Sequence, residues 1–150
     1  MSSYKIKIES ILDSQKFKKR LLKQAAELVL SAEHVAGAEI TIILVDDEYI
    51  KRLNKDFLSQ NDTTDVISFH LDDIQSKDFL EGEVYANLDQ IERQALDYSV
   101  SFSNELVRIV IHGILHLIGY DDQTLSDKET MTMKEDYYLS ILTKPINKGG

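Results

Sequence analysis

With 150 residues, 43% of them hydrophobic and 29% charged, the chain is long enough for one core and too short to divide comfortably into two; a single proline, Pro145, and the lack of any biased or repeated stretch argue against extended disorder. A net charge of −9 and a pI near 4.8 oppose general adhesion to nucleic acid, which depends on a strong basic field, while leaving room for a local groove, a bound cation or an RNA presented by a larger assembly. The absence of cysteine excludes thiolate metal ligands, a cysteine nucleophile and an iron–sulfur cluster, so any metal must rest on histidine, carboxylate or backbone.

At the N-terminus, Tyr4–Glu9 alternates apolar and charged residues. This is the period of a half-buried strand, and it interrupts the apolar run of about 7–15 residues that a secretory signal needs. No window approaches the ~18 apolar residues of a membrane span. We therefore expect a cytoplasmic protein with no membrane or DNA association, and a monomer.

From Asp13 to about Glu33, Phe17, Leu21, Leu22, Ala25, Leu28 and Val29 recur at helical spacing, with Asp13 or Ser14 as N-cap. Glu39–Val45 is rich in β-branched residues and reads as a more buried strand, after which Asp46 caps a short helix through Leu53. Thr64–Phe69 and Gly82–Leu88 are strand-like and could pair as a hairpin-like unit across the acidic stretch from Leu71 to Glu81, which reads as a solvated loop. A helix follows Asp89 to about Tyr98. A second, Ser103–Ile118, is apolar on most faces, as expected of a core helix. A last helix spans Ser126–Leu142, and Ser126 and Glu129 have the spacing of a capping box. The sum is an α+β fold: one domain over residues 1–146, with a mixed sheet of about four strands covered by about five helices, and a flexible tail from Asn147 to Gly150.

The chemistry concentrates in the segment from Val110 to Asp122. His112 and His116, at i and i+4, lie one turn apart on one helix face, within reach of a single cation. Gly119 sits where a left-handed residue would stop the helix, and the turn that follows can bring the Asp122 carboxylate to the same face. His112, His116 and Asp122 thus form a three-ligand set with a position left for water or substrate. Two histidines and a carboxylate suit zinc best, with iron or manganese as other divalent options. Unpaired imidazoles would be costly in so apolar a helix, which weighs against two ordinary histidines.

The spacing is also that of the extended metalloprotease signature, except that the residue after the first histidine, the glutamate that activates water in a protease, is Gly113. With glycine there, H-G-x-L-H-L-x-G-Y-D, running from His112 to Asp121, resembles the YbeY family of single-strand-specific endoribonucleases, which act in rRNA maturation and ribosome quality control. Upstream, Leu53, Asn54, Phe57 and Thr64–Phe69 resemble that family's second motif, and Gly82–Val84 its G-D-I. The resemblance implies a metal-dependent RNA hydrolase, with ribosomal RNA and ribosomal or ribosome-assembly proteins as partners.

Three positions depart from the family pattern. Its usual third histidine is Asp122, a valid zinc ligand that makes the site less positive. Its arginine, thought to meet the RNA phosphate, is Leu58. The proline after the Ser-Phe pair is His70, which reads best as an exposed loop histidine and otherwise as a polar group near the cleft. Arg108, one turn before His112, is the nearest replacement cation by helix geometry, although a salt-bridged or solvated side chain is the more ordinary reading. Asp65 either orients a ligating imidazole or caps the turn entering its strand. Arg108 and Asp65 are accordingly the catalytic candidates. The competing functions are a zinc metallopeptidase-like hydrolase, opposed by Gly113, and a ribosome-associated factor with a structural metal and little catalysis.

Overall fold

The computed structural model describes residues 3–12, 17–58, 64–71 and 78–143. In chain order the elements are β1 (Tyr4–Ser10), α1 (Lys19–Ala32), β2 (Ala38–Val45), α2 (Asp47–Leu58), β3 (Val66–His70), β4 (Leu80–Asn87), α3 (Leu88–Tyr98), α4 (Phe102–Ile118) and α5 (Leu125–Leu142). The four strands lie in the order β1-β2-β4-β3. β1, β2 and β4 are parallel, and β3 joins the edge antiparallel to β4, with Ile67 opposite Tyr85. This is the expected α+β domain, including the β3–β4 pairing.

The near-continuous apolar run of β2 follows from its place between two covered faces. Ile40, Ile42 and Leu44 enter the main core with α1 and α4, whereas Ile43 and Val45 pack on the other face against Ile50 of α2 and Ile67 of β3. α4 is apolar nearly all round because α1, α3, α5, β3 and β4 all pack against it. Its approach to the sheet is close enough to dictate glycines. A Cβ at Gly113 would stand 2.6 Å from Val84 Cγ1, and one at Gly82 2.8 Å from the Leu117 methyls.

Two helix starts differ from expectation. α1 begins at Lys19, with Lys18 at the N-cap and no side-chain cap bond; Asp13 and Ser14 lie outside the described residues, and Phe17 packs on the core from the approach segment. The capping box of α5 is Thr124 with Asp127, two residues before the expected one. The Thr124 hydroxyl accepts the Asp127 N–H at 3.0 Å, and the Asp127 carboxylate accepts the Thr124 N–H at 3.4 Å. Asp46 does cap α2, accepting the Tyr49 N–H at 3.0 Å, but the helix continues past Leu53 to Leu58. Residues 144–150, the expected tail among them, lie outside the described residues, as do the central acidic-loop residues 72–77. No helix among the described residues is long and apolar enough to cross a membrane.

Candidate metal centre

α4 carries His112 and His116 with ring centroids 4.6 Å apart. The helix ends at Gly119, whose φ of 123° only glycine adopts without strain. Its N–H donates to the His116 carbonyl and that of Tyr120 to the Leu115 carbonyl, both at 3.0–3.1 Å. These paired bonds reverse the chain at the helix end, as in a Schellman motif. The turn then returns Asp122 to the histidine face. Asp122 Oδ2 lies 3.4 Å from His112 Nε2 and 3.4 Å from His116 Nε2. One ligand atom from each of the three residues falls within 4.8 Å of the others, the single such cluster among the described residues.

These separations fit a cation. Four-coordinate zinc with bonds of about 2.0–2.1 Å holds neighbouring donors roughly 3.3–3.4 Å apart. The protonation pattern fits as well. His112 Nδ1 lies 2.6 Å from Glu135 Oε2; a carboxylate accepts, so Nδ1 carries a proton, and Nε2, on the side of Asp122, is the nitrogen a cation would take. Burial pulls the His112 pKa down, but the Glu135 hydrogen bond and charge, with Asp65 and Asp122, outweigh it and raise the pKa.

Glu135 is the site residue that sequence reasoning missed. It is buried on α5 between Met131 and Tyr138, so a carboxylate interrupts an otherwise apolar helical stripe. A buried acid in such a stripe requires partners, but its burial is visible only once α5 is packed on α4. Its second oxygen accepts from Arg108 Nη1 at 3.1 Å, and Arg108 Nη2 donates to Asp136 at 2.6 Å. Burial opposes the Arg108 charge, yet the two carboxylates raise its pKa. Arg108 therefore fastens α4 to α5, and its charge is already engaged.

Asp65 lies on the wall of the same cleft, of about 600 Å³, together with Glu105, Arg108, His112, Asp122 and Glu135. Its carboxylate makes no hydrogen bond among the described residues, while its backbone carbonyl accepts the Asn87 N–H at 2.9 Å. Glu135, not Asp65, holds the imidazole, because α5 packs directly over His112 and Asp65 precedes β3. Glu105, hydrogen-bonded by Gln94 at 2.9 Å, has its carboxyl pKa raised by burial against the pull of that bond. His70 is neither in a loop nor fully exposed. It ends β3, half-buried, and its Nε2 donates to the Leu117 carbonyl at 2.8 Å. Ser68 donates to the Gly113 carbonyl at 3.0 Å, so β3 grips α4 on either side of His116. The Leu58 side chain lies outside the described residues.

The sequence model of the Endoribonuclease YbeY family matches residues 3–143. The chain belongs to the YbeY endoribonuclease family. Among YbeY relatives, the Endoribonuclease YbeY of Chloroherpeton thalassium is 40% identical over 137 residues, covering 89% of this chain and 95% of the relative. That of Flavobacterium johnsoniae is 38% identical over 113 residues, covering 75% and 79%. The solution structure of a Thermotoga maritima protein is similar at a TM-score of 0.64 and 30% identity, over 91% of this YbeY chain and 88% of that one.

Proposed function

We propose that this chain is a zinc-dependent, single-strand-specific endoribonuclease of the cytoplasm, acting on ribosomal RNA in its maturation and in ribosome quality control, with ribosomal or ribosome-assembly proteins as partners. Family membership supports RNA as the substrate class. The observation that carries metal dependence is the placement of Asp122 Oδ2 at 3.4 Å from both imidazoles, with Glu135 fixing the proton of one of them. When bound there, a divalent cation supplies Lewis-acid activation of a phosphodiester oxygen or of water.

The chain's own residues set the terms. Glu135 orients His112 and Asp122 completes the donor set. Asp65, Glu105 and Asp136 make the cleft wall acidic, so a phosphate approaches favourably only where that charge is offset. Lys128, exposed on the same wall with no ion pair among the described residues, provides a cation that Arg108 does not. Gly113 faces Val84, Val66 and Ser68 across the helix–sheet contact, leaving no room for the glutamate of a zinc peptidase.

The test is metal analysis of the purified protein, joined to cleavage of an rRNA precursor by wild type and by Asp122→Ala, with a peptide assay alongside. Zinc content and RNA cleavage should both fall in the variant. Retention of both would remove Asp122 from the ligand set, and peptide hydrolysis without RNA cleavage would overturn the proposal. The acidic cleft favours a second reading, a structural metal with little catalysis. That reading requires that wild type cleave no RNA at any metal load.

A further inference from the structure

Outside the ligand set, Glu33 is the most heavily engaged buried carboxylate among the described residues. It stands at the C-cap of α1, 6% exposed, and its carboxylate meets three side chains far from it in sequence. Tyr120 Oη donates to its Oε1 at 2.6 Å; Lys134 Nζ donates to Oε2 at 2.9 Å, and Tyr138 Oη to the same oxygen. Lys134 Nζ also lies 5.0 Å from the Tyr120 ring centroid, holding the ring by its face while Glu33 holds its hydroxyl. A carboxylate buried this deeply is retained at a desolvation cost that only such a set of donors offsets.

The network joins three elements, and one of them bears on the metal centre. Between α4 and α5, Gly119, Asp121, Gln123 and Thr124 are exposed, and Tyr120 is the residue of this turn that packs on the main core. Asp122 follows two residues later, its N–H bonded only locally to the Asp121 carboxylate at 2.8 Å. Gly119 sets the direction in which the chain leaves the helix, but a glycine hinge alone does not hold the returning strand at a fixed distance. The Tyr120 hydroxyl ties the turn to the end of α1, which packs against both α4 and α5.

We infer that Glu33 is a positioning residue for the metal centre, acting through the Tyr120 hydroxyl to hold the Asp122 carboxylate against the His112–His116 pair. The inference rests on the metal reading proposed above. Groups that touch metal ligands directly are worth about 10–100-fold in metal affinity. Tyr120 acts one step further out, so Tyr120→Phe should weaken binding roughly tenfold, at the lower end of that range.

The experiment is a double-mutant cycle on the full chain, with cobalt(II) as the metal probe and affinity and visible absorption as readouts. The proteins are wild type, Tyr120→Phe, Asp122→Ala and the double variant. Tyr120→Phe should lower cobalt affinity and shift the absorption bands toward those of Asp122→Ala, and should have no further effect once Asp122 is gone. Glu33→Gln, which keeps the shape of the acceptor, should fall between wild type and Tyr120→Phe. Equal losses from Tyr120→Phe in both backgrounds, or bands unchanged from wild type, would reduce the network to ordinary fold stabilisation and overturn the inference. Should wild type bind no cobalt or zinc, the proposed function itself fails, an outcome distinct from additivity in the cycle.

Discussion

Replacing Glu135 by glutamine tests the most consequential contact in the site. The wild-type carboxylate does two things at once: Oε2 accepts from His112 Nδ1 at 2.6 Å and Oε1 accepts from Arg108 at 3.1 Å. Glutamine keeps the volume and one acceptor oxygen but removes the charge that makes His112 a more basic ligand. Loss of such a partner weakens metal binding by about 10–100-fold, which is roughly 1.4–2.7 kcal/mol. The effect on the metal-free fold should be smaller. A hydrogen bond to a charged group contributes about 1.5–3 kcal/mol, but the Arg108 side chain is 27% exposed and keeps Asp136, which brings the expected loss to about 1 kcal/mol. Glu135→Ala should cost about 2–4 kcal/mol, since it also strands the His112 N–H and opens a cavity. Zinc competition against a chromophoric chelator near neutral pH gives the first quantity, and urea unfolding of the metal-free protein the second. If Glu135→Gln bound zinc like wild type while His112→Ala bound none, the argument that this contact tunes the ligand would be wrong.

Other expectations follow from the same geometry. Gly113→Ala places a methyl 2.6 Å from Val84 Cγ1; so close an approach puts overpacking in the upper part of its usual range, about 2–3 kcal/mol, which less about 1 kcal/mol of helix propensity should leave the variant about 1–2 kcal/mol less stable in urea. An unchanged midpoint would mean that α4 moves freely on the sheet. Lys128→Ala should raise the KM for single-stranded RNA, reduce the salt slope of binding by roughly one and leave zinc content as in wild type; an unaltered slope would remove Lys128 from the phosphate path. For Glu33, burial raises the carboxyl pKa but the Lys134, Tyr120 and Tyr138 bonds prevail and lower it below 4.5. Its stabilisation is therefore complete above the unfolded value and lost as pH falls through the folded one. The stability gap between wild type and Glu33→Gln should be flat near neutrality and narrow in acid, and a gap that widened on acidification would contradict the assignment.

The legibility of this protein in its sequence divides along contact distance. His112, His116 and Asp122 were readable because a helical turn and a glycine stop determine their relation within a few residues. β2, α4 and the β3–β4 pair were readable because burial on both faces, or alternation between faces, leaves a composition pattern. Glu135 was not, since its partner lies on another helix and its role appears only when α5 is laid over α4. His70 looks like a loop residue in the sequence because β3 runs one position further than its apolar pattern, and the Leu117 carbonyl that anchors it is 47 residues away. The capping box of α5 was displaced by two residues because Thr124 and Asp127 satisfy the same end as well as Ser126 and Glu129 would.

The local span of the proposed ligand set, residues 112 to 122, also bears on what a metal held there would do for the molecule. Cross-links stabilise a fold chiefly by shortening the loops open to the unfolded chain, and a clip joining residues 112, 116 and 122 closes loops too short to matter much. The fold instead rests on the core shared by α1, α4 and the sheet. On the proposed function, removal of a metal held there should therefore leave a folded protein with an idle cleft, so that metal supply would act on activity without unfolding the chain.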